Sequence, residues 1–200
     1  MAQMRDVHIQ KDSMRFRKNL ERVGEILGYE LSKSLSFQKN KIQTPLGVHL
    51  SSLIEDKIVL VSILRAALPM YQGFLNFFDN AENAFIGAYR GTHQKDHTFE
   101  VNLDYVASAN LNNKIVIVID PMLATGKSLV KACHSLFQFG NPKHLHIVSA
   151  IGSRFGIDYL SQHLDNYSVW LGDLDEELNE KFYIVPGLGD AGDLSFGEKL

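Results

Sequence analysis

Apolar side chains recur at a helical period near the start of the chain. They are spaced by four and three residues, at Phe16, Leu20, Val23, Leu27 and Leu31. This spacing is that of one face of an amphipathic helix. Asp12 or Ser13 can cap the helix, because a side-chain oxygen at that point accepts a hydrogen bond from a free N–H of the first turn. The pattern predicts one helix ahead of the main sheet.

Farther along, the pattern changes to short, continuous apolar runs rich in β-branched residues. Five of them lie at 57–63, 84–89, 114–120, 144–151 and 167–171. Runs of this kind are typical of strands that are buried on both faces of a sheet. Helix-length segments lie between them, at Ala66 to Phe78, Lys127 to Phe139 and Phe155 to His163. This order of strand, helix and strand predicts an α/β fold with a parallel sheet covered by helices.

Two stretches depart from this order. Residues 90–105 are polar and are predicted to form a mobile loop or a hairpin, and residues 184–197 are rich in glycine. The stretch 172–180, GDLDEELNE, is predicted to be a solvated acidic loop without an acid–base pair. No internal repeat or linker interrupts the chain. Its 200 residues, 45% of them hydrophobic, suit one compact domain over 1–200.

Composition excludes several classes of function. The net charge of −3 gives no basic field for nucleic acid or for an anionic membrane. The N-terminal residues are charged throughout, unlike a signal peptide, and the longest apolar stretch is broken by Arg65 and Pro69. Cys133 is the only cysteine, which excludes an intrachain disulfide and favours a reducing compartment. We therefore expect a cytoplasmic protein. His144 and His146 share a strand face, but two ligands without a third are a weak indication of a metal site.

Candidate chemistry lies in the stretch KIVIVIDPMLATGKS, residues 114–128. Its last three residues are those of a nucleoside-triphosphate P-loop, but Pro121 stands where that loop needs its first glycine. Proline has a fixed φ and no N–H to offer a phosphate. Asp120 follows the strand instead, and a small-residue turn leads into a helix whose N-terminal N–H groups favour an anion. A phosphate beside a carboxylate that can bind vicinal hydroxyls indicates a ribose 5-phosphate.

Four segments of the chain resemble the uracil phosphoribosyltransferases. VIDPMLATGKS is similar to the family's phosphoribosyl-diphosphate loop, and SILRAALPM (62–70) to its pyrophosphate loop. AYR (88–90) resembles the strand end before the flexible loop, and YIVPGLGDAGD (183–193) resembles the uracil-binding segment. FRKNLERVGEILGYE (16–30) fits the first helix of the family. The resemblance therefore covers nearly the whole chain, although the usual opening His-Pro-Leu is absent.

The resemblance implies a type I phosphoribosyltransferase fold, with a small hood formed by the C-terminal segment, and it implies a site. Arg65, Asp120 and Asp190 would be the catalytic residues. Phosphoribosyl diphosphate would contact Arg65, Arg90, Asp120, Pro121, Met122, Leu123, Ala124, Thr125, Gly126, Lys127, Ser128 and Asp190. Uracil would contact Ile184, Gly189, Asp190 and Ala191, largely through backbone groups. The loop 90–105 would act as a lid that excludes water.

The same resemblance implies the reaction and its helpers. Uracil and phosphoribosyl diphosphate would give UMP and pyrophosphate, which is a step of pyrimidine salvage. Mg²⁺ would bind mainly through the diphosphate, with no metal ligand set supplied by the protein. The family also suggests a homodimer or a higher homo-oligomer, and activation by GTP in some relatives.

This sequence departs from the family pattern at three site positions. Ala67 and Pro69 replace glycines of the pyrophosphate loop, and Lys127 replaces the second glycine of the phosphate loop. A lysine there can strengthen phosphate binding as a point charge, or its bulk can distort the turn. Two alternatives to the enzyme remain open: a non-catalytic regulator that binds a phosphoribosyl group or UMP, and an ATP-dependent kinase.

Overall fold

The computed structural model describes residues 1–90 and 101–198. The helices are α1 (Ala2–Arg5), α2 (Ser13–Ser32), α3 (Leu68–Phe77), α4 (Lys127–Leu136), α5 (Arg154–His163) and α6 (Ala191–Phe196), with a 3-10 turn at Phe137–Phe139. The strands are β1 (Phe37–Thr44), β2 (Gly47–Ile54), β3 (Ile58–Leu64), β4 (Glu82–Arg90), β5 (Val101–Ala107), β6 (Ile115–Ile119), β7 (Met122–Leu123), β8 (His144–Ser149), β9 (Ile151–Ser153), β10 (Tyr167–Leu171), β11 (Leu174–Asp175), β12 (Glu177–Leu178) and β13 (Ile184–Val185).

The main sheet has six strands in the order β10-β8-β6-β3-β4-β5. The first five are parallel to one another, and β5 pairs with β4 antiparallel. The α/β fold is confirmed, and the sheet is mixed rather than wholly parallel. β5 overlaps the end of the polar stretch 90–105, which agrees with the hairpin alternative. Residues 91–100, which make up most of the predicted lid 90–105, lie outside the described residues.

Alternation along the strands divides the core into two layers. Ile115, Ile117 and Ile119 of β6 pack with the apolar residues of α2 and α3. Val116 and Val118 face the other way and pack with those of α4 and α5. Each strand residue is therefore buried whichever face it occupies, which explains the continuous apolar runs of the sequence. The predicted first helix is also confirmed, and Asp12 caps it by accepting a hydrogen bond from the Arg15 N–H at 3.0 Å.

Sequence reasoning missed the hairpin of β1 and β2. These strands pair antiparallel from Phe37 with Ile54 to Thr44 with Gly47, joined through Pro45 and Leu46, and they belong to no larger sheet. The signal was present, because a two-residue connection between two runs of strand length is typical of a hairpin. Most of the side chains of this hairpin are exposed on both faces. Alternation therefore gave no apolar face by which to recognise the strands.

The predicted strand 144–151 is divided by Ala150. β8 belongs to the main sheet, whereas β9 pairs with β7 and β11 in a second, three-stranded sheet. The stretch 172–180 is likewise not wholly a solvated loop, which corrects the prediction. Asp175 lies in β11 and is buried, because Arg5 supplies an opposite charge at 2.8 Å. None of the helices within the described ranges is long and apolar enough to cross a membrane.

Helices α2 and α3 meet backbone to backbone at Gly24 and Gly73. A Cβ built on Gly24 would overlap the carbonyl oxygen of Met70, and one on Gly73 would overlap that of Glu21. Neither position has room for a side chain, since backbone atoms cannot move aside alone. Gly28, one turn farther along α2, is different because a Cβ there would make an ordinary contact with Phe77 at 3.5 Å.

We expect Gly24→Ala to lower the free energy of unfolding by about 1–3 kcal/mol, because the added methyl group forces the two helices apart. Gly28→Ala is the matched control in the same helix. It should leave stability unchanged or raise it by up to about 1 kcal/mol, the helix propensity that alanine gains over glycine. Urea denaturation of both variants measures the difference. Equal effects at the two positions would contradict the close approach.

The outer strands β8 and β10 share a polar cluster built on two histidines. His146 is buried, and the Trp170 indole Nε1 donates to its Nδ1 at 3.0 Å. His144 lies beside it, with 4.7 Å between ring centroids, and its two ring nitrogens contact Asn166 Oδ1 and Ser168 Oγ. Since the indole can only donate, Nδ1 of His146 must accept, and the imidazole is neutral.

Burial is the main cause of a low pKa at His146. It lowers the pKa to about 4, His144 adds to the shift, and Asp56 opposes it. An unfolded histidine titrates near pH 6.5. Between about pH 6.5 and pH 4 the unfolded chain therefore binds a proton that the folded chain does not. Stability falls as the pH drops through this window, and the loss from His146 levels off below it.

We expect the parent to lose about 2 kcal/mol more unfolding free energy between pH 7 and pH 4.5 than His146→Gln loses. Glutamine does not titrate, and its carbonyl oxygen can still accept from Trp170. Urea denaturation of both proteins at both pH values gives the difference. If the two proteins lose the same amount, His146 has no part in the acid sensitivity.

Candidate functional site

The predicted site residues gather where the strand order reverses. From β3 the chain adds β4 on one side, whereas β6 pairs on the other side and is followed outward by β8 and β10. In open α/β sheets, ligands bind at such a reversal, outside the carboxyl ends of the strands. Arg65 directly follows β3 and Asp120 directly follows β6. Since Ser62 pairs with Ile119, Asp120 is level with Ile63, two residues before Arg65, and both residues leave neighbouring strands at the same edge of the sheet.

The predicted phosphate turn lies between β6 and α4. Met122 and Leu123 form the short strand β7, so the turn itself is limited to Ala124, Thr125 and Gly126. Gly126 has a φ of +75°, a left-handed conformation that suits glycine, and it directly precedes the first residue of α4. The N–H groups of the first turn of α4 and its positive dipole lie at the turn, and the Lys127 N–H makes a long hydrogen bond of 3.4 Å to Thr125 Oγ1. Lys127 is the exposed first residue of α4, so its bulk does not distort the turn.

Residues at the start of α5 pack against the phosphate turn and hydrogen-bond to it. Ser153 is fully buried, and its hydroxyl donates to the Ala124 carbonyl oxygen at 2.6 Å while it accepts from the Gly156 N–H at 2.9 Å. A Cβ built on Gly156 would lie 2.9 Å from the Leu123 carbonyl oxygen, so only glycine fits there. Sequence analysis missed both residues. Their signal was a serine cap three residues before a glycine at a helix start.

Asp120 joins the turn to the sheet. Its N–H donates to the Val148 carbonyl oxygen at 3.1 Å, and its Oδ1 accepts from the Met122 N–H at 3.3 Å. The next residue, Pro121, is buried, and its carbonyl oxygen accepts from the Ile151 N–H. The backbone is therefore fixed on both sides of the carboxylate. A half-buried carboxylate on a fixed backbone is well suited to bind two neighbouring hydroxyl groups.

Arg65 is held by the C-terminal segment. Its Nη2 donates to Asp193 Oδ1 at 2.8 Å and to the Gly197 carbonyl oxygen at 2.6 Å. Its Nε is buried and has no acceptor within residues 1–90 and 101–198. The peptide bond between Leu64 and Arg65 is cis. Arg65 thus keeps one buried donor that a ligand oxygen could satisfy.

The substitutions at Ala67 and Pro69 fit the structure without strain. Ala67 is buried and precedes α3 in an ordinary right-handed helical conformation, with φ −72° and ψ −19°. Pro69 lies in the first turn of α3, where the missing N–H costs nothing. The positive φ that glycine would permit at position 67 is therefore not needed in this chain.

The predicted base-binding residues surround the start of α6. Asp190 caps this helix, because its Oδ1 accepts from the Gly192 and Asp193 N–H groups at 2.8 and 3.0 Å. Ile184 and Ala191 are buried, whereas Gly189 is exposed with a φ of +90°. A Cβ on Gly192 would lie 3.9 Å from Arg65 Nε. The segment therefore meets the loop after β3.

Arg90 ends β4, the strand next to β3. Its backbone thus leaves the sheet on the same edge as Arg65 and Asp120, and its side chain lies outside the described residues. Over the described ranges, no group of three or more His, Cys, Asp or Glu side chains could hold a metal. Cys133 is buried, and burial raises the pKa of its thiol to about 12. The thiol therefore stays protonated and unreactive near neutral pH.

Comparison with known proteins agrees with this geometry. A uracil phosphoribosyltransferase of Porphyromonas gingivalis is 50% identical, over 100% of this chain and 93% of the relative. The solved AQ2163 protein of Aquifex aeolicus has a TM-score of 0.86 at 32% identity, over 94% of this chain and 89% of its own. A Staphylococcus aureus hypoxanthine phosphoribosyltransferase, with a TM-score of 0.53 at 18% identity over 81% and 76%, shares the fold.

The family model described as uracil phosphoribosyltransferase matches residues 1–198. The matches therefore favour neither the non-catalytic regulator nor the kinase. The fold is that of a type I phosphoribosyltransferase. By its sequence, this chain belongs to the uracil phosphoribosyltransferase family.

Proposed function

We propose that the protein transfers the phosphoribosyl group of 5-phospho-α-D-ribose 1-diphosphate to uracil, giving UMP and pyrophosphate. One observation carries the proposal: a carboxylate, an anion-binding turn and an arginine with a buried free donor meet at the reversal of strand order. Each matches one part of the sugar diphosphate. Membership of the family supports the choice of uracil as the acceptor.

The ribose 5-phosphate binds between Asp120 and the turn 124–128. The phosphate accepts hydrogen bonds from the backbone N–H groups at the start of α4 and from the hydroxyls of Thr125 and Ser128. The carboxylate of Asp120 accepts from the two ribose hydroxyls. The exposed Lys127 adds a positive charge beside the phosphate, worth on the order of 1 kcal/mol because water screens it.

The diphosphate binds at Arg65, with Arg90 as the second cation. The buried Nε of Arg65 then gains the acceptor that it lacks in the free protein. Asp193 already neutralises the same guanidinium, so the diphosphate and this carboxylate share or exchange the arginine. Binding of the sugar diphosphate is therefore linked to the position of α6 and of the base-binding residues before it.

Uracil binds along Ile184, Gly189, Asp190 and Ala191. Its edge alternates C=O and N–H groups, which backbone N–H and C=O groups match in spacing and in polarity. A glycine at position 189 lets the backbone approach the planar ring closely. The base is thus recognised by the conformation of the segment rather than by long side chains.

The reaction forms a bond from a uracil nitrogen to carbon 1 of the ribose, while the bond from carbon 1 to the diphosphate oxygen breaks. Positive charge develops on the sugar and negative charge on the departing pyrophosphate. The protein acts chiefly by orienting the two reactants and by stabilising that anion with Arg65 and Arg90.

Mg²⁺ fits this site as a partner of the substrate. The described site residues include the carboxylates of Asp120, Asp190 and Asp193, but these form no cluster that could hold a metal, so most of its six oxygen ligands would come from the diphosphate, the ribose hydroxyls and water. When bound, the ion neutralises diphosphate charge and orients the leaving group. The enzyme works in the cytoplasm, where its one thiol stays reduced. Activation by GTP is an expectation that rests on the family resemblance alone, and binding measurements with GTP test it.

The enzyme assembles as a homodimer or a higher homo-oligomer. The hairpin of β1 and β2 exposes large apolar side chains, at Phe37, Ile42, Leu46, Val48, Leu50 and Leu53. An isolated two-stranded hairpin is marginally stable in water, and such a surface is typical of a protein interface. A second copy of the chain that packs against the hairpin would bury these side chains.

We expect the purified parent to form UMP from uracil and phosphoribosyl diphosphate in the presence of Mg²⁺, and to lose that activity in excess chelator. Asp120→Asn should weaken binding of phosphoribosyl diphosphate by about ten- to a hundredfold, since a hydrogen bond to a charged group is worth roughly 1.5–3 kcal/mol. Calorimetry and a UMP assay measure the two effects.

The matched control is Asp158→Asn, which removes an exposed carboxylate on α5 and should behave as the parent. If no UMP forms under any condition, the proposed function is wrong. If Asp120→Asn binds the sugar diphosphate as tightly as the parent does, the role of Asp120 is wrong while the reaction stands.

We also expect the parent to have at least twice the mass of one chain by light scattering. Replacing Val48 and Leu50 together with lysine should shift the mass toward one chain, because buried charge disfavours an interface. A parent with the mass of one chain at all concentrations tested would refute the oligomer.

A further inference from the structure

Arg5, the last residue of α1, binds a distant part of the chain. Its Nη1 and Nη2 donate to the two carboxylate oxygens of Asp175 at 2.8 and 2.9 Å. Nη1 also donates to the Gly187 carbonyl oxygen at 3.0 Å, and Nη2 to Asp173 Oδ2 at 2.8 Å. The paired bonds to Asp175 are the fork geometry that only an arginine can make.

Asp175 links Arg5 to Gly187, because it accepts hydrogen bonds from both. The carboxylate is buried, and its Oδ2 also accepts from the Gly187 N–H at 2.8 Å. Gly187 therefore has both its N–H and its C=O bound, one by Asp175 and the other by Arg5. Its φ is +61°, and a Cβ there would overlap the Ile184 carbonyl oxygen. The conformation at Gly187 is thus fixed by an ion pair outside the base-binding segment.

Arg5 and Asp175 each stabilise the charged form of the other. The hydrogen bond from Arg5 is the main cause of a lowered pKa at Asp175, and the bond to Asp175 is the main cause of a raised pKa at Arg5. A second contact lies beside it. The amide of Gln10 faces the Leu188 and Met4 carbonyl oxygens at 2.7 and 3.0 Å, and its nitrogen donates to both when the amide is assigned from its hydrogen bonds.

We infer that Arg5 is a positioning residue for the base: acting through Asp175, it holds the backbone of Gly187 so that the following residues present their N–H and C=O groups to uracil. This inference rests on the proposed function. Gly187 lies two residues before Gly189, so a change in its peptide planes redirects the groups that read the base. A base recognised through backbone groups depends on the rigidity of the segment.

Loss of the ion pair between Arg5 and Asp175 should change the conformation at Gly187, because it leaves a buried carboxylate without its partner. Without Arg5, Asp175 keeps a charge that is buried and loses its partner. Water or a rearranged segment must then satisfy the carboxylate, and the bond to the Gly187 N–H changes with it. The phosphate turn and α4 make no contact with Arg5 through these bonds, so binding of the 5′-phosphate should be spared. The diphosphate is affected only through α6, by way of the pair of Asp193 with Arg65.

We test the inference with Arg5→Gln and Arg5→Lys. Arg5→Gln should raise the KM for uracil about ten- to a hundredfold, the range expected when a bound group is misplaced by about 1 Å. The KM for phosphoribosyl diphosphate should rise less, by about fivefold at most, because the phosphate turn is untouched and only the half-exposed pair of Arg65 with Asp193 lies near the displaced segment. Arg5→Lys keeps the charge without the fork and should lie between Arg5→Gln and the parent.

Arg154→Gln is the matched control. Arg154 makes an exposed ion pair of 3.4 Å with Glu176, the neighbour of Asp175, and its replacement removes the same charge from the same region. Both KM values should stay within about twofold of the parent's, as expected for a surface pair. Amide hydrogen exchange adds a direct readout, since the Gly187 N–H should exchange faster in Arg5→Gln and not in Arg154→Gln.

The outcomes separate the two proposals. A parent that forms no UMP overturns the proposed function and this inference with it. A parent that forms UMP, while a folded Arg5→Gln leaves the uracil KM unchanged or raises both KM values equally, overturns the positioning role alone. If Arg5→Gln does not fold, the same comparison is made with Arg5→Lys, and an unchanged uracil KM together with unchanged exchange at Gly187 overturns the role.

Discussion

The site depends on the pairing of β3 with β6. These two strands are buried on both faces, and each continues the chain on a different side of the sheet. Because they are parallel and in register, the residues that follow them leave the core at neighbouring points. Arg65 and Asp120 are polar residues that come directly after apolar runs, so each stands where its strand leaves the core, which limits the cost of burying polar groups. The remaining parts of the site are attached to these two strand ends.

Two layers of helices then support different parts of the site. The layer of α4 and α5 fixes the phosphate turn, through the Ser153 hydroxyl and the space left by Gly156. The opposite layer carries the C-terminal segment, since Arg17 of α2 donates to the Ser195 carbonyl oxygen. The proposed phosphate turn and the base-binding segment are therefore supported largely from opposite faces of the sheet, although Met122 and Ala124 also pack against the layer of α2 and α3. Only Arg65, paired with Asp193, belongs to both the strand edge and the C-terminal segment.

The fold was largely predictable because its signals are local. Runs of β-branched residues revealed the five parallel strands, and periodicity revealed α2. Asp120 and Gly126 were recognisable as candidate site residues because strand, turn and helix follow one another within one short stretch, and their roles in binding stay predictions. The contacts of Arg5 and Asp175 were not recognisable, since the two residues are 170 positions apart. Asp175 stands among other acidic residues, and only the burial of its carboxylate distinguishes it. The hairpin of β1 and β2 was missed because it has no buried face to leave a pattern.

The contact between Gly24 of α2 and Met70 of α3 limits how the molecule can move. Helices separated by side chains can slide past each other as rotamers change, which is a shear motion. Here backbone carbonyl oxygens, and not flexible side chains, fill the space between the helices. The two helices therefore form one rigid unit on this face of the sheet. Because Arg65 precedes α3 and α2 contacts the C-terminal segment, this rigid unit borders the candidate site. Sliding of α2 past α3 is therefore disfavoured, and the two helices should move together when the site changes shape.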